Sequence, residues 1–400
     1  MTDTEIKNNI YFYQAGDLVP SNDYLKSIKQ KIAELSSIKN ISFLFGAGTS
    51  SEAIPGMQSM QLEIKCGLDL LQDKKLKKQY EKIKSSDLEE KLTILYALKH
   101  YLEGTSGVDG IMVSNVNNLI SHIESEMYSK INVDLSSDNA VKAIDVYKIL
   151  YQKLALRNKD LSRLNIFTTN NDLFNEKALD SLNINYNNGF SGGLDRVFNP
   201  ARFHYTFSKK IDTNLEKFEP LDNMVYLYKL HGSISWIEQD GGDSLFNIRE
   251  VPVKGGLPKD GGKHVLIYPT PLKQSQCLGS PYADLIREFQ TKLSLPNSAI
   301  FIIGYSFSDE HLNNIIYQAL ASNSSLSVVI FGEHPACPLS TIKDSRIYRV
   351  FGEDLEGSKV HYFEYIVKNL LPNVDENIDT LLLEKFVTTL KAAIDGESAK

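Results

Sequence analysis

Ile41-Ser42-Phe43-Leu44-Phe45-Gly46-Ala47-Gly48-Thr49-Ser50 is the stretch whose reading decides the fold. Its first five residues are largely β-formers, and they run straight into a turn of small residues, with Ile54-Pro55-Gly56 close behind. This pattern predicts a buried strand ending in a loop whose bare backbone can approach a ligand. Glycine permits positive φ and lacks the Cβ that would hold a phosphate away. Neighbouring hydroxyls add donors for phosphate oxygens. Alone the signal is weak, because Gly46-x-Gly48 followed by Ser51 lacks the third glycine of a Rossmann fingerprint. An ordinary strand-to-loop turn is the alternative, and the rest of the chain has to decide.

On the N-terminal side, residues 22–36 carry helical spacing through Tyr24-Leu25, Ile28, Ile32 and Leu35. After Met57 the apolar pattern is helical for about a hundred residues. Leu88, Leu92 and Leu95-Tyr96 form one stripe, with a capping box at Ser86-x-x-Glu89. Val141, Ile144, Tyr147, Leu150-Tyr151 and Leu154 form another. Between Asp73 and Lys84 stand six lysines, Lys74, Lys75, Lys77, Lys78, Lys82 and Lys84, which read as the wet face of a helix.

Strand character returns at Leu164–Thr169, closing in Thr168-Thr169-Asn170-Asn171-Asp172, and helical spacing resumes from Leu173. Tyr186 to Tyr205 is a glycine- and asparagine-rich loop. A strand over Val225–Leu230 ends at His231-Gly232-Ser233, and Glu238 to Lys263 is a glycine-rich excursion read as a hairpin or flap. A short strand at Val265–Tyr268 and a helix at Ala283–Leu293 follow. The buried strand Ala299–Ile303 ends at Gly304-Tyr305-Ser306, and Ser308-Asp309 caps a helix running through Leu320. Leu326–Phe331 is a further strand, and Ile378 to Ile394 a last amphipathic helix.

Strands alternating with helices predict an α/β fold, a doubly wound and mostly parallel Rossmann-like sheet. The expected organisation is an α/β domain over 1–370, interrupted by a helical insertion at 58–160, with a C-terminal helical tail at 371–400. Such sheets bind ligands at the carboxyl ends of their strands. Gly46–Ser50, Thr168–Asp172, His231-Gly232 and Gly304–Ser306 all fall at such ends, and their convergence points to a site.

Composition narrows the function classes. The chain has 400 residues, 42% hydrophobic and 23% charged, which is ordinary for a globular protein and leaves room for one large domain with an insertion. A net charge of −7 argues against a duplex-binding surface, so no direct nucleic-acid partner is expected. Cys66, Cys277 and Cys337 stand far apart; three cysteines exclude a four-cysteine zinc ribbon within the chain and suggest reduced thiols. His204, His264, His311 and His334 have no metal-ligand spacing, and no metal is expected. Met1-Thr2-Asp3-Thr4-Glu5 is unlike a signal peptide, and no apolar run is long enough to span a bilayer, so the expectation is a soluble, cytoplasmic chain.

In order, these motifs resemble the sirtuin family, and in particular the divergent bacterial sirtuin-like proteins of antiphage defence. The family's Gly-Ala-Gly-x-Ser matches Gly46-Ala47-Gly48-Thr49-Ser50, and its Ile-Pro matches Ile54-Pro55. The defence branch's Thr-Thr-Asn-Tyr-Asp is similar to Thr168-Thr169-Asn170-Asn171-Asp172, with Asn171 in place of tyrosine. Its Lys-Leu-His-Gly-Ser matches Lys229-Leu230-His231-Gly232-Ser233, and a late Gly-Tyr-Ser followed by Asp matches Gly304-Tyr305-Ser306 and Asp309. Two departures weaken a deacylase reading. The zinc ribbon's cysteines are missing, and the Asp-Phe-Arg that follows Ile-Pro in classical deacylases is replaced by Gly56-Met57-Gln58.

The resemblance implies NAD+ as ligand and substrate, no zinc, and Asn170 with His231 as the catalytic pair. It implies nucleotide contacts from Gly46, Ala47, Gly48, Thr49, Ser50, Thr169, Asp172, Gly304 and Ser306. The residue types suit cleavage of an N-glycosidic bond, in which a neutral base departs and the ribose gains oxocarbenium character. Asp172 can accept from a carboxamide, Asn170 can orient water or ribose hydroxyls, and a histidine titrates near cellular pH. Taken singly, Asn170 and Asp172 also read as cap residues and His231 as a turn residue. The expected activity is NAD+ glycohydrolysis by an abortive-infection effector. The rivals are an NAD+-dependent protein deacylase and a non-catalytic nucleotide-binding assembly module. The resemblance further implies a homo-oligomer and a HerA-type ATPase or helicase as partner.

Overall fold

The computed structural model of the protein describes residues 9–70, 78, 80–84, 88–105, 110–154, 161–212, 216–221, 223–238, 247–253, 263–266 and 281–372. The expected tail at 371–400, apart from its first two residues, lies outside the described residues, as do Ser86 of the capping box and Lys74, Lys75 and Lys77 of the lysine run. Much of the Glu238–Lys263 excursion also lies outside them.

The centre is a nine-stranded sheet in the order Asp17–Leu18, Asn9–Gln14, Ile347–Glu353, Leu326–Phe331, Ser298–Ile303, Asn40–Phe45, Leu164–Thr168, Met224–Lys229, Asn185–Asn187. From Ile347–Glu353 to Asn185–Asn187 all neighbours run parallel; the two strands at the other edge are antiparallel. The apolar runs are explained by burial on both faces. Ile41, Phe43 and Phe45 face one core with Ala299, Phe301 and Ile303, whereas Leu44, Ile300 and Ile302 face the other. The period-two alternation thus reads as a continuous hydrophobic string. The Phe43 and Phe301 rings stack at 5.0 Å across the pair of strands that meet at the centre.

The first face is covered by the helices Tyr24–Ser36, Asp138–Leu154 and Phe174–Ser181, and the second by Tyr282–Leu293 and Glu310–Ser322. The stretch 58–160 divides between two cores. Met60, Ile64, Leu92, Leu119, Ile123 and their neighbours form a separate cluster among Met57–Leu70, Leu88–Gly104 and Gly110–Ile131. Asp138–Leu154 instead packs into the main core through Ala143, Tyr147, Leu150 and Tyr151. A second sheet, ordered Lys263–Leu266, Gly232–Glu238, Ile248–Glu250, Arg196–Phe198, Phe190–Ser191, takes in part of the Tyr186–Tyr205 stretch, which the sequence reads as a loop, and part of the Glu238–Lys263 excursion, which it reads as a hairpin or flap. Among the described residues no helix is long and apolar enough to cross a membrane.

Candidate functional site

From Asn40–Phe45 the chain builds one half of the parallel sheet, through Leu164–Thr168 to Met224–Lys229, then returns to build the other from Ser298–Ile303. The strand order reverses between Asn40–Phe45 and Ser298–Ile303, and a crevice at that place is where open α/β sheets bind ligands. Two cavities meet there. The smaller, about 220 Å³, is lined by Gly46, Ala47, Ser50, Thr169, Asn170, Asp172 and His231 among others. The larger, about 910 Å³, is lined by Gly48 and Thr49. Gly304, Tyr305 and Ser306 line both. Each residue that the sequence nominates therefore borders one cavity or the other.

The structure gives the glycines a reason other than ligand approach. A Cβ on Gly46 would sit 2.5 Å from the Gly304 carbonyl oxygen, and one on Gly48 would sit 2.6 Å from the Gly304 Cα. Gly304 has φ +65°, and its Cβ would lie 2.7 Å from the Thr49 nitrogen. The two strand-end turns touch backbone to backbone, and only glycine fits on either side. The contact and the loop's own turn use up donors. Gly46 N–H donates to Ile303 and Gly48 N–H to Gly304 across the contact, and Thr49 N–H donates to Gly46 and Ser50 N–H to Ala47 within the loop. A diphosphate at this turn would meet hydroxyls rather than a run of free N–H groups. The exposed pair Ser306 and Ser308, 2.8 Å apart, offers two of them.

Asn170 organises the opening loop. Its Nδ2 donates to the Gly46 carbonyl (3.1 Å), Thr49 Oγ1 (3.0 Å) and Ser50 Oγ (2.9 Å), so two hydrogens are shared among three acceptors. Its own N–H donates to Thr168 Oγ1 at 3.0 Å. With the amide nitrogen engaged, Oδ1 is the group Asn170 can offer to a ligand. Ser50 donates onward to Asp172 Oδ2 at 2.7 Å, and Asp172 Oδ1 accepts from the N–H of Phe174. Thr49 receives a 2.7 Å hydrogen bond from the buried Tyr147 hydroxyl. Burial, with the Asp172 charge nearby, pushes the Tyr147 phenol far above its ordinary range, so it stays a donor. Tyr147 is thus both a core residue, as its helical spacing suggests, and the rear support of the loop.

His231 sits where the chain leaves the main sheet. Met224–Lys229 ends, Gly232 turns with φ +80°, and Gly232–Glu238 enters the second sheet. His231 Nε2 lies 3.1 Å from Asp309 Oδ2, and both side chains are largely buried. Asp309 Oδ1 accepts from the N–H groups of His311 and Leu312, which caps Glu310–Ser322 as the sequence suggests. The second role of Asp309 is not visible in the sequence. An ionised carboxylate only accepts, so a neutral His231 must carry its proton on Nε2, leaving Nδ1 as the basic nitrogen. Asn171 ties the two loops together by donating to the carbonyls of His231 (2.7 Å) and Gly232 (3.2 Å). Buried Lys229 donates to the Asp172 carbonyl and pairs with Glu176 Oε1 at 2.8 Å, fixing the loop from below.

The remaining walls differ in character. Met57, Met60, Met127 and Ile131, from the helical insert, give the smaller cavity an apolar side. The larger carries Lys142, Lys359 and Lys368, with His334 and His361, whose imidazoles burial holds below the usual histidine range. Among the described residues no three His, Cys, Asp or Glu side chains are grouped to hold a metal ion.

No curated protein matches the chain. A solved structure described as "Structural Basis for the Mechanism and Regulation of Sir2 Enzymes" is similar with a TM-score of 0.37 and 13% identity, over 86% of this chain and 97% of that one. Residues 164–346, a little under half of the chain, match the model of the SIR2-like domain. The chain is thus similar to a SIR2-like domain across the stretch that carries Asn170, His231 and Asp309.

Proposed function

We propose that the protein is an NAD+ glycohydrolase that releases nicotinamide and ADP-ribose. What carries the reading is that Asn170, with only its Oδ1 to offer, and the Asp309-paired His231 border one small cavity that is also lined by apolar side chains. NAD+ has two ends, and two cavities that meet at Gly304–Ser306 suit that division. The apolar wall of Met57, Met60 and Met127 suits the nicotinamide ring, and Asp172 can accept from its carboxamide. Nicotinamide leaves a cation as a neutral molecule, so its departure needs no acid. His231 takes a proton from water or a ribose hydroxyl through Nδ1, help typically worth ~10²–10⁴-fold. Asn170 Oδ1 accepts from the same hydroxyl or water and fixes its orientation.

Incubation of the purified protein with NAD+, alone and with the product of a neighbouring gene, is expected to yield nicotinamide and ADP-ribose in equal amounts. Tight NAD+ binding without turnover under any of these conditions would instead support the assembly-module reading. Transfer of an acetyl group from a peptide to ADP-ribose would support a deacylase. The wider proposal is that NAD+ depletion acts in antiphage defence by a homo-oligomer held in check by a HerA-type ATPase. It rests on the motif resemblance. Asp309→Asn keeps a cap oxygen but removes the carboxylate that sets the His231 tautomer. It is expected to lower kcat by roughly 10²-fold while leaving KM and stability close to wild type. An unchanged kcat removes Asp309 from the mechanism.

A further inference from the structure

The helical insert holds a third cavity, about 570 Å³, that shares no lining residue with the two at the strand ends. Lys91 is its unusual member. This lysine is only 6% exposed, and its ammonium lies 3.8 Å from the centre of the Tyr80 ring. Among the described residues no carboxylate pairs with it. Tyr80 is 2% exposed, and among the described residues its hydroxyl has no hydrogen-bond partner. Burying an ammonium without a counter-charge costs far more than the face of one aromatic ring returns. Lys65 and Lys84 add two exposed cations to the same lining, against one exposed carboxylate, Glu81. Gln58 adds an amide that can donate.

We propose that this cavity binds a phosphate-bearing anion, with Lys91 at its buried side and Lys65 and Lys84 at its rim. A tetrahedral group with several charged oxygens is the chemistry that three ammonium groups and a carboxamide can jointly satisfy. Such a ligand supplies the counter-charge that no described residue gives Lys91. It would sit one helix away from the smaller strand-end cavity, because Met57–Leu70 gives Met57 and Met60 to that cavity and Gln58 and Lys65 to this one.

Calorimetric titration of the full chain with tripolyphosphate, and separately with ATP, tests this. The expected result is saturable binding of tripolyphosphate at one site per chain and a melting temperature that rises with its concentration. ATP that competes for the site identifies a nucleotide ligand, whereas ATP that fails to compete identifies an inorganic polyanion; either agrees with the proposal. Lys91→Met is expected to weaken the affinity tenfold or more, and to raise the melting temperature without anion, because it removes a buried charge that no described carboxylate pairs. Lys65→Gln, at an exposed position that does not endanger folding, is expected to weaken binding several-fold. Failure of both anions to bind, or binding that either substitution leaves unchanged, overturns the proposal.

Discussion

Asn170→Ala is expected to abolish NAD+ cleavage and also to destabilise the protein, which a purely catalytic residue would not do. The two effects come from the two ends of one side chain. Loss of Oδ1 removes the acceptor proposed for ribose or water, and loss of one preorganised hydrogen bond at a reacting centre typically costs ~10²–10³ in rate. Loss of Nδ2 leaves buried Ser50 Oγ without its donor, whereas the Gly46 carbonyl still accepts from Thr49 and Thr49 Oγ1 from Tyr147. That shortfall costs about 1–3 kcal/mol. Asn170→Asp separates the ends. It keeps an acceptor oxygen but turns a second one on Ser50 Oγ, which already lies 2.7 Å from the Asp172 carboxylate. Two carboxylates would then share one buried serine, and the Asp variant should be less stable than the Ala variant at neutral pH. Urea midpoints and turnover measured on both variants check this. An Asp variant as stable as wild type would mean that the Asn170 amide does not hold the opening loop.

What was legible in the sequence, and what was not, follows from the range of each interaction. The parallel strands show because burial on both faces makes Phe43–Phe45 and Ala299–Ile303 continuous apolar runs. The strand Asn9–Gln14 does not, because its partner Ile347–Glu353 lies more than 300 residues away and its Tyr11–Phe351 stack leaves no local pattern. Asn170, His231 and the strand-end glycines could be nominated from type and order. Their contacts could not, since a sequence cannot show Gly48 pressed against Gly304. Asp309 is the clearest case. Its capping bonds reach two and three residues on and are legible, while the bond to His231 spans 78 residues and is not. Tyr147 is similar, a stripe residue whose hydroxyl crosses 98 residues to Thr49. Helical spacing also could not divide the stretch after Met57 between two cores, because a helix shows one apolar face whichever core receives it.

Lys229→Met is expected to give the largest loss of stability, and a pH dependence whose sign is fixed. Lys229 and Glu176 are both buried and paired at 2.8 Å. Methionine fills similar space but leaves the Glu176 carboxylate without its cation, a loss of about 3–5 kcal/mol when one partner of a buried pair is removed. Burial holds the Glu176 carboxyl above its ordinary range, and the Lys229 charge opposes that rise. A carboxyl whose folded pKa exceeds its unfolded value binds the proton more tightly when folded. Stability is therefore present at low pH and falls as pH rises from the unfolded pKa through the folded one. Without Lys229 the folded pKa climbs further and the window widens upward. The Met variant should lie near wild type at mildly acidic pH and fall progressively below it toward pH 8. A gap between the two urea midpoints that does not change with pH would refute the pairing argument. Adding Glu176→Gln to Lys229→Met removes the stranded charge, and should recover stability at pH 8. It does not restore the bond from Lys229 to the Asp172 carbonyl, which holds the loop carrying Asn170 and Asp172. Turnover of NAD+ should therefore remain low in the double variant after its stability has returned. Recovery of both together would show that Lys229 serves folding alone and takes no part in placing the site.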